Sequence, residues 1–112
     1  MEYEFMTADT PLPPCMPFPK ALVRLQVSST AKMIYCRMLD AMLVMGKEDE
    51  NGIMFVCISI AQLAAAVSRC DMTVKRSLNE LENEGLIVRV RQGFGKPNRI
   101  YVLIPKHGSM GK

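Results

Sequence analysis

The chain is short of most groups that catalysis or metal binding needs. It has a single histidine among its 112 residues. That residue, His107, sits near the C-terminal end, away from any cluster of cysteines. The four cysteines, Cys15, Cys36, Cys57 and Cys70, form no Cys-x-x-Cys pair. A structural zinc site needs a closed set of four ligands, so none is expected. Cys36, Cys57 and Cys70 fall in or beside apolar segments and read as free buried thiols of a reducing cytoplasm. No run of about 18 apolar residues and no secretory apolar segment is present, so neither a membrane span nor export is expected. No nucleophile sits in a recognisable frame. The Gly-Phe-Gly-Lys-Pro segment lacks the Gly-Lys-Ser/Thr ending and the following helix of a phosphate loop. An enzyme is therefore not expected, and no cofactor is implied.

The charge is sparse but uneven. Overall it is +3. Met1 to Ser68 carries five Lys/Arg against seven Asp/Glu, whereas Arg69 to Lys106 carries eight against four. The basic excess is thus confined to one C-terminal segment. A localised field of this kind attracts polyanions more strongly than the net charge suggests.

That segment belongs to a longer pattern, Ile53 to Pro105. It reads strand, short helix, turn, second helix, hairpin. Ser59 is placed to cap the first helix, whose Ile60, Leu63, Ala64 and Val67 recur at helical spacing. Ser68 to Asp71 breaks the pattern, and Asp71 is placed to cap the next helix. This second helix is expected over Met72–Glu84, ending at Gly85. Val74, Leu78 and Leu81 form its apolar stripe. At roughly 100° per residue, Arg76 points away from that stripe, with Thr73, Lys75 and Asn79 also on or near the outer half. Glu80, Glu82 and Glu84 follow. Basic and polar residues thus come early and carboxylates late, which fits a recognition helix that meets base edges with its N-terminal half. Arginine most naturally reads guanine and asparagine adenine. Arg69, just before the helix, suits a phosphate.

Leu86–Gln92 and Asn98–Ile104 read as two strands joined by Gly93 to Pro97. Alternation places Val88 and Val90 on one face with Arg89 and Arg91 on the other. The expected register packs the aliphatic face over the helices and gathers Arg89, Arg91 and Arg99 outside. With Lys96 and Asn98 near the tip, the hairpin would clamp phosphates. Phe94 at the tip either wedges into a minor groove or packs on its own hairpin.

The N-terminal half is plainer. Residues 1–17 form a proline-rich extended arm, since Pro11, Pro13, Pro14 and Pro17 forbid a continuous helix. Residues 18–105 form one domain, and 106–112 a flexible tail. Lys20 to Leu25 suits a short helix. A long helix is expected from Ser28 or Ser29 to Met45, ended by Gly46. It is apolar nearly all round. Either it is the buried axis of the domain or another copy covers part of it. Its methionine-rich side, Met38, Met42 and Met45, is the expected homodimer contact. Lys47 to Gly52 is expected as a charged turn leading into a strand over Ile53–Ile58.

The fold class that follows is α+β, a winged helix-turn-helix. It has three to four helices, a strand before the helix-turn-helix and a C-terminal hairpin wing. At this level the chain resembles the N-terminal domain of the plasmid replication initiator A family of Gram-positive bacteria. The resemblance rests on FPKAL (Phe18 to Leu22), SSTAKMIYCRML (Ser28 to Leu39) and DENG (Asp49 to Gly52). It continues through SIAQLAAAVSRCDMTVKRSLNELENEGLI and RQGFGKPNRIYV (Arg91 to Val102). It covers roughly residues 17–104. It implies a bacterial, cytoplasmic protein that binds repeated origin sequences in double-stranded DNA, as a homodimer, and engages host replication proteins. Members continue into a separate C-terminal domain, where this chain ends in KHGSMGK; in a naturally short relative a regulatory role gains weight. Two other readings stand beside replication initiation: a transcriptional regulator of a mobile element using the same contacts, and a winged-helix module that docks proteins.

Overall fold

The structure, a computed structural model, describes residues 2–105. The flexible tail expected over 106–112, with His107, lies outside the described residues. Residues 2 to 19 carry no helix or strand; Thr7 and Thr10 close one small turn on themselves. A 3-10 turn, Lys20–Arg24, then seats Leu22 in the core.

Helix α1 spans Ser29–Met45. Ser28 caps it by accepting from the Ala31 amide. Its buried positions are Ala31, Ile34, Tyr35, Met38, Ala41 and Met42, with Cys36 beside them. These follow the three-four spacing of one helical stripe. The nearly all-apolar sequence therefore conceals an ordinary one-sided helix. Met38 and Met42 belong to the inward stripe, 0% and 7% exposed, and fill the chain's own core. They are not available to a second copy, which corrects the expected dimer contact at those two residues. Met45 is exposed, with Leu43 and Val44 next to it.

The charged segment after α1 is more than a turn. Strand β1, Lys47–Glu48, pairs antiparallel with β2, Met54–Cys57. Asp49 closes the connection, its Oδ1 accepting from the amides of Asn51 and Ile53. The Ile53 amide is the main reason that its carboxyl is held below the usual range.

Helix α2, Ile60–Val67, begins with a full capping box: Ser59 accepts from the Gln62 amide, and the Gln62 side chain accepts from the Ser59 amide. Helix α3, Asp71–Asn83, is capped by Cys70 in position but not by its side chain. Asp71 is the first helical residue, not the cap expected of it. Its charge still complements the helix start. At the other end Gly85 adopts φ +79°, Leu86 donates to the Leu81 carbonyl and Gly85 to that of Glu82. This pair of bonds is a Schellman ending, and the buried Leu81 and Leu86 supply its apolar contact.

Strands β3, Ile87–Val90, and β4, Arg99–Val102, form the hairpin. The sheet order is β1-β2-β4-β3, antiparallel throughout. The core lies between the helices and the inner sheet face. Ile34, Tyr35, Met38, Leu63, Leu78, Leu81 and Ile87 are at most 2% exposed. A fully buried side chain of this kind contributes about 1.5–3 kcal/mol. Tyr35 adds a polar tie from α1 to the end of the wing, its hydroxyl donating to the Leu103 carbonyl at 2.6 Å.

Candidate nucleic-acid interface

Helix α3 is held from both sides before it presents anything outward. On one side Glu80 accepts from the Ser28 amide at 3.1 Å and from its hydroxyl at 2.7 Å, joining α3 to the start of α1. On the other side Glu82 accepts from Arg89 Nη2 at 2.7 Å, Nε at 3.2 Å and the main-chain amide at 3.3 Å. These bonds from Arg89 hold the Glu82 carboxyl below the usual range. Two of the three late carboxylates are therefore committed to internal partners.

The outward surface of α3 consists of Asp71, Met72, Lys75, Arg76, Asn79 and Asn83. Among the described residues the salt bridges are Arg37–Asp40 and Glu82–Arg89, so neither Lys75 nor Arg76 has an ionic partner. Arg69 is exposed in the turn, its Nη1 on the Ser68 carbonyl. Ser68 holds φ +55° there, which lets the chain reverse tightly between the helices. Thr73 is half-buried, its Oγ1 3.3 Å from Cys70 Sγ. Contact with Thr73 is the main cause that lowers the Cys70 thiol pKa. Cys57 and Cys70 are exposed and only Cys36 is buried, so the expectation of three buried thiols holds for one.

The wing differs from the expected arrangement. Ile87 pairs with Val102 and Arg89 with Ile100, so these four share the inner face. Val88 and Val90 lie outside with Tyr101 and Arg99, both valines more than 40% exposed. The alternation holds, but β3 faces the opposite way from the expected register, with Ile87 and Arg89 turned to the helices in place of Val88 and Val90. Arg89 faces α3, with its charge neutralised by Glu82, and is not an outer phosphate contact. Arg99 lies on the opposite face, its guanidinium 4.5 Å above the Phe55 ring. The three arginines are not gathered together.

Inner-face geometry instead assembles a cleft of about 280 Å³. Leu78 of α3, the start of α2 at Ser59 and Ile60, and Arg89, Lys96 and Asn98 of the wing line it. Lys96 and Asn98 thus stand across from the helix-turn-helix. Arg91 is exposed where the hairpin leaves its ladder. Phe94 is fully exposed, clear of its own hairpin. Gly93 and Gly95 both have positive φ, which the tight tip requires.

Two residues that shape the site were missed in the sequence. Glu82 stood out only as a charge to be avoided. Gln92 pins the wing, with Nε2 donating to the Pro97 carbonyl at 2.9 Å and Oε1 accepting from Arg99 Nε at 3.1 Å. A carboxylate and an arginine on either side of the Gly85 reversal were the available signal for the first. Nothing in the sequence marked the second.

A helix-turn-helix followed by a hairpin at its flank defines the winged-helix class. Within that class, the family model for the replication initiator protein A (RepA) N-terminus matches residues 16–107, and the chain belongs to that family. Solved structures agree on the fold. One described as the N-terminal domain of a DNA binding protein has a TM-score of 0.71 at 19% identity, over 94% of this chain and 86% of that one. A Rep-DNA complex has a TM-score of 0.71 at 20% identity, over 92% and 85%. An MDR initiator has 0.69 at 20% identity, over 92% and 88%. No curated protein matches the chain. Among the described residues no helix is long and apolar enough to cross a membrane.

Proposed function

We propose that this domain binds duplex DNA sequence-specifically during initiation of replication of a plasmid or mobile element, and that it acts by binding without catalysis. Helix α3 enters the major groove with Arg76, Lys75 and Asn79 toward the bases. Arg69, Arg91 and Lys96 hold phosphates on either side. One observation carries the reading: on α3 Lys75 and Arg76 have no ionic partner among the described residues, Glu80 and Glu82, which would repel phosphate, are tied to Ser28 and Arg89, and Asp71 is the exposed carboxylate left at the helix start. Family membership supports the role in replication. The finer reading is recognition of repeated origin sites by two copies. The exposed apolar end of α1, Leu43, Val44 and Met45, favours it as a surface for the second copy.

The test is selection of random duplexes by the purified chain, followed by salt titration of the enriched sequence against a scrambled one. A repeated half-site, preferred over the control, is expected, and its spacing reports how two copies sit. Uniform, salt-sensitive binding with no enrichment would reduce the domain to a backbone grip. No binding at low salt would overturn the reading.

A further inference from the structure

Arg89 does more than neutralise Glu82. Its Nη2 also donates to Asn79 Oδ1 at 2.8 Å. A guanidinium has five donors and no acceptor. The end of the Asn79 amide that faces it must therefore be the oxygen. Turning the amide over would set its NH2 group against another donor. Arg89 itself does not swing, because Glu82 holds its main-chain amide, Nε and Nη2 together. Asn79 is nevertheless exposed, on the same outward stripe as Met72 and Arg76. Its Nδ2, on the other branch of the amide, is left to face outward.

This changes what Asn79 can read. The bidentate contact of asparagine with adenine needs both amide atoms at the base edge: oxygen accepting from N6 and nitrogen donating to N7. Here the oxygen is turned toward the wing, where Arg89 takes one of its two lone pairs. What remains toward the groove is a donor. Acceptor edges suit it: O6 and N7 of guanine, O4 of thymine and N7 of adenine, whereas cytosine offers only its amino donor. We propose that Arg89 is a specificity-positioning residue. It fixes Asn79 as an outward donor, so that the base under Asn79 is one with a major-groove acceptor, guanine foremost, and the bidentate selection of adenine is lost. The inference rests on the DNA-binding reading above and goes further in naming the base class and the residue that sets it.

The experiment is duplex selection with four proteins: wild type, Asn79→Ala, Asn79→Asp, and the charge-neutral pair Glu82→Gln with Arg89→Met. The position read by Asn79 is the one whose preference disappears in Asn79→Ala. Guanine, with two acceptors, is expected there in the wild type, adenine is not singled out, and cytosine is disfavoured by about tenfold. Asn79→Asp presents acceptors only and should turn that position toward cytosine. The paired variant frees the amide for the bidentate contact and should turn that position toward adenine by about tenfold, with every other position unchanged. Strict selection of adenine at that position in the wild type would overturn the proposal, as would a preference unmoved by the paired variant, or no position responding to Asn79→Ala. Should the paired variant fail to fold by circular dichroism, the wild type and the two surface variants of Asn79 decide alone. A wild type that enriches no motif removes the DNA-reading function and this proposal with it. A clear motif with strict selection of adenine under Asn79 removes only this one.

Discussion

The carboxylate of Glu80, in the last turn of α3, grips both the amide and the hydroxyl of Ser28, fifty-two residues earlier at the cap of the long helix. The hydroxyl at the same time caps α1 through the Ala31 amide. One small side chain thus fixes the start of α1 and the pitch of α3. Ser28→Ala should cost about 1 kcal/mol as a lost cap. Glu80→Gln should cost a similar amount or less, because the contact is partly exposed to solvent. The two losses should not add, since each variant already breaks the shared bond. Urea unfolding of both single variants and the double one checks this; strictly additive losses would mean that the contact contributes nothing.

Tyr35 sets an alkaline limit on stability. Burial pushes its phenol up to about 12 from 10.0. The folded state therefore keeps its proton where the unfolded chain has lost it. The stabilisation is complete below pH 10 and is lost as pH rises from there through about 12. It amounts to roughly 2–3 kcal/mol over that window. Tyr35→Phe removes the hydroxyl and leaves the Leu103 carbonyl without its partner, at about 1–2 kcal/mol near neutral pH. The same variant should show a flatter fall between pH 10 and 12. The buried Cys36 thiol, also pushed up by burial, adds a shallower loss that Cys36→Ala would remove. Parallel curves for wild type and Tyr35→Phe in that range would count against a neutral buried phenol.

The elements that could be read in the sequence are those whose signals are local. Ser28, Ser59, Gly46 and Gly85 mark helix ends through capping chemistry that needs no distant partner, and the structure places each where the sequence did. The phase of β3 is different. Leu86 and Ile87 are consecutive apolar residues, so strict alternation has two starting points. Leu86 belongs to the Schellman ending of α3, and the alternation begins at Ile87. That turns Arg89 inward, which is tolerable only because Glu82 awaits it. Strand β1 has two charged residues and no pattern at all, as suits a short edge strand. The stripe of α1 was hidden for another reason: apolar residues at its exposed C-terminal end mask the polar face that would have shown its direction.

Arg76 carries the sharpest prediction about the groove. It is exposed and has no ionic partner among the described residues. Arg76→Ala should leave folding within about 0.5 kcal/mol of the wild type, as expected of a surface site. On the selected duplex it should cost ~1–3 kcal/mol and relax preference at one base. Titration of the selected and scrambled duplexes by anisotropy separates the cases. An equal loss on both would make Arg76 a phosphate contact.

Wing charges should behave in two distinct ways, which salt can tell apart. Lys96 lines the cleft and has no ionic partner among the described residues, so its whole charge is free to displace a counterion. Lys96→Ala should weaken binding to selected and scrambled duplexes alike and flatten the plot of log affinity against log salt by about 0.9. The Glu82–Arg89 pair is already neutral toward the solvent. Replacing it with glutamine and methionine leaves the net charge unchanged and should leave the slope unchanged, while altering which base is preferred. A slope reduced as much by the pair replacement as by Lys96→Ala would mean that Arg89 leaves Glu82 for a phosphate when DNA arrives. An unchanged slope in Lys96→Ala would remove the wing tip from the backbone contact.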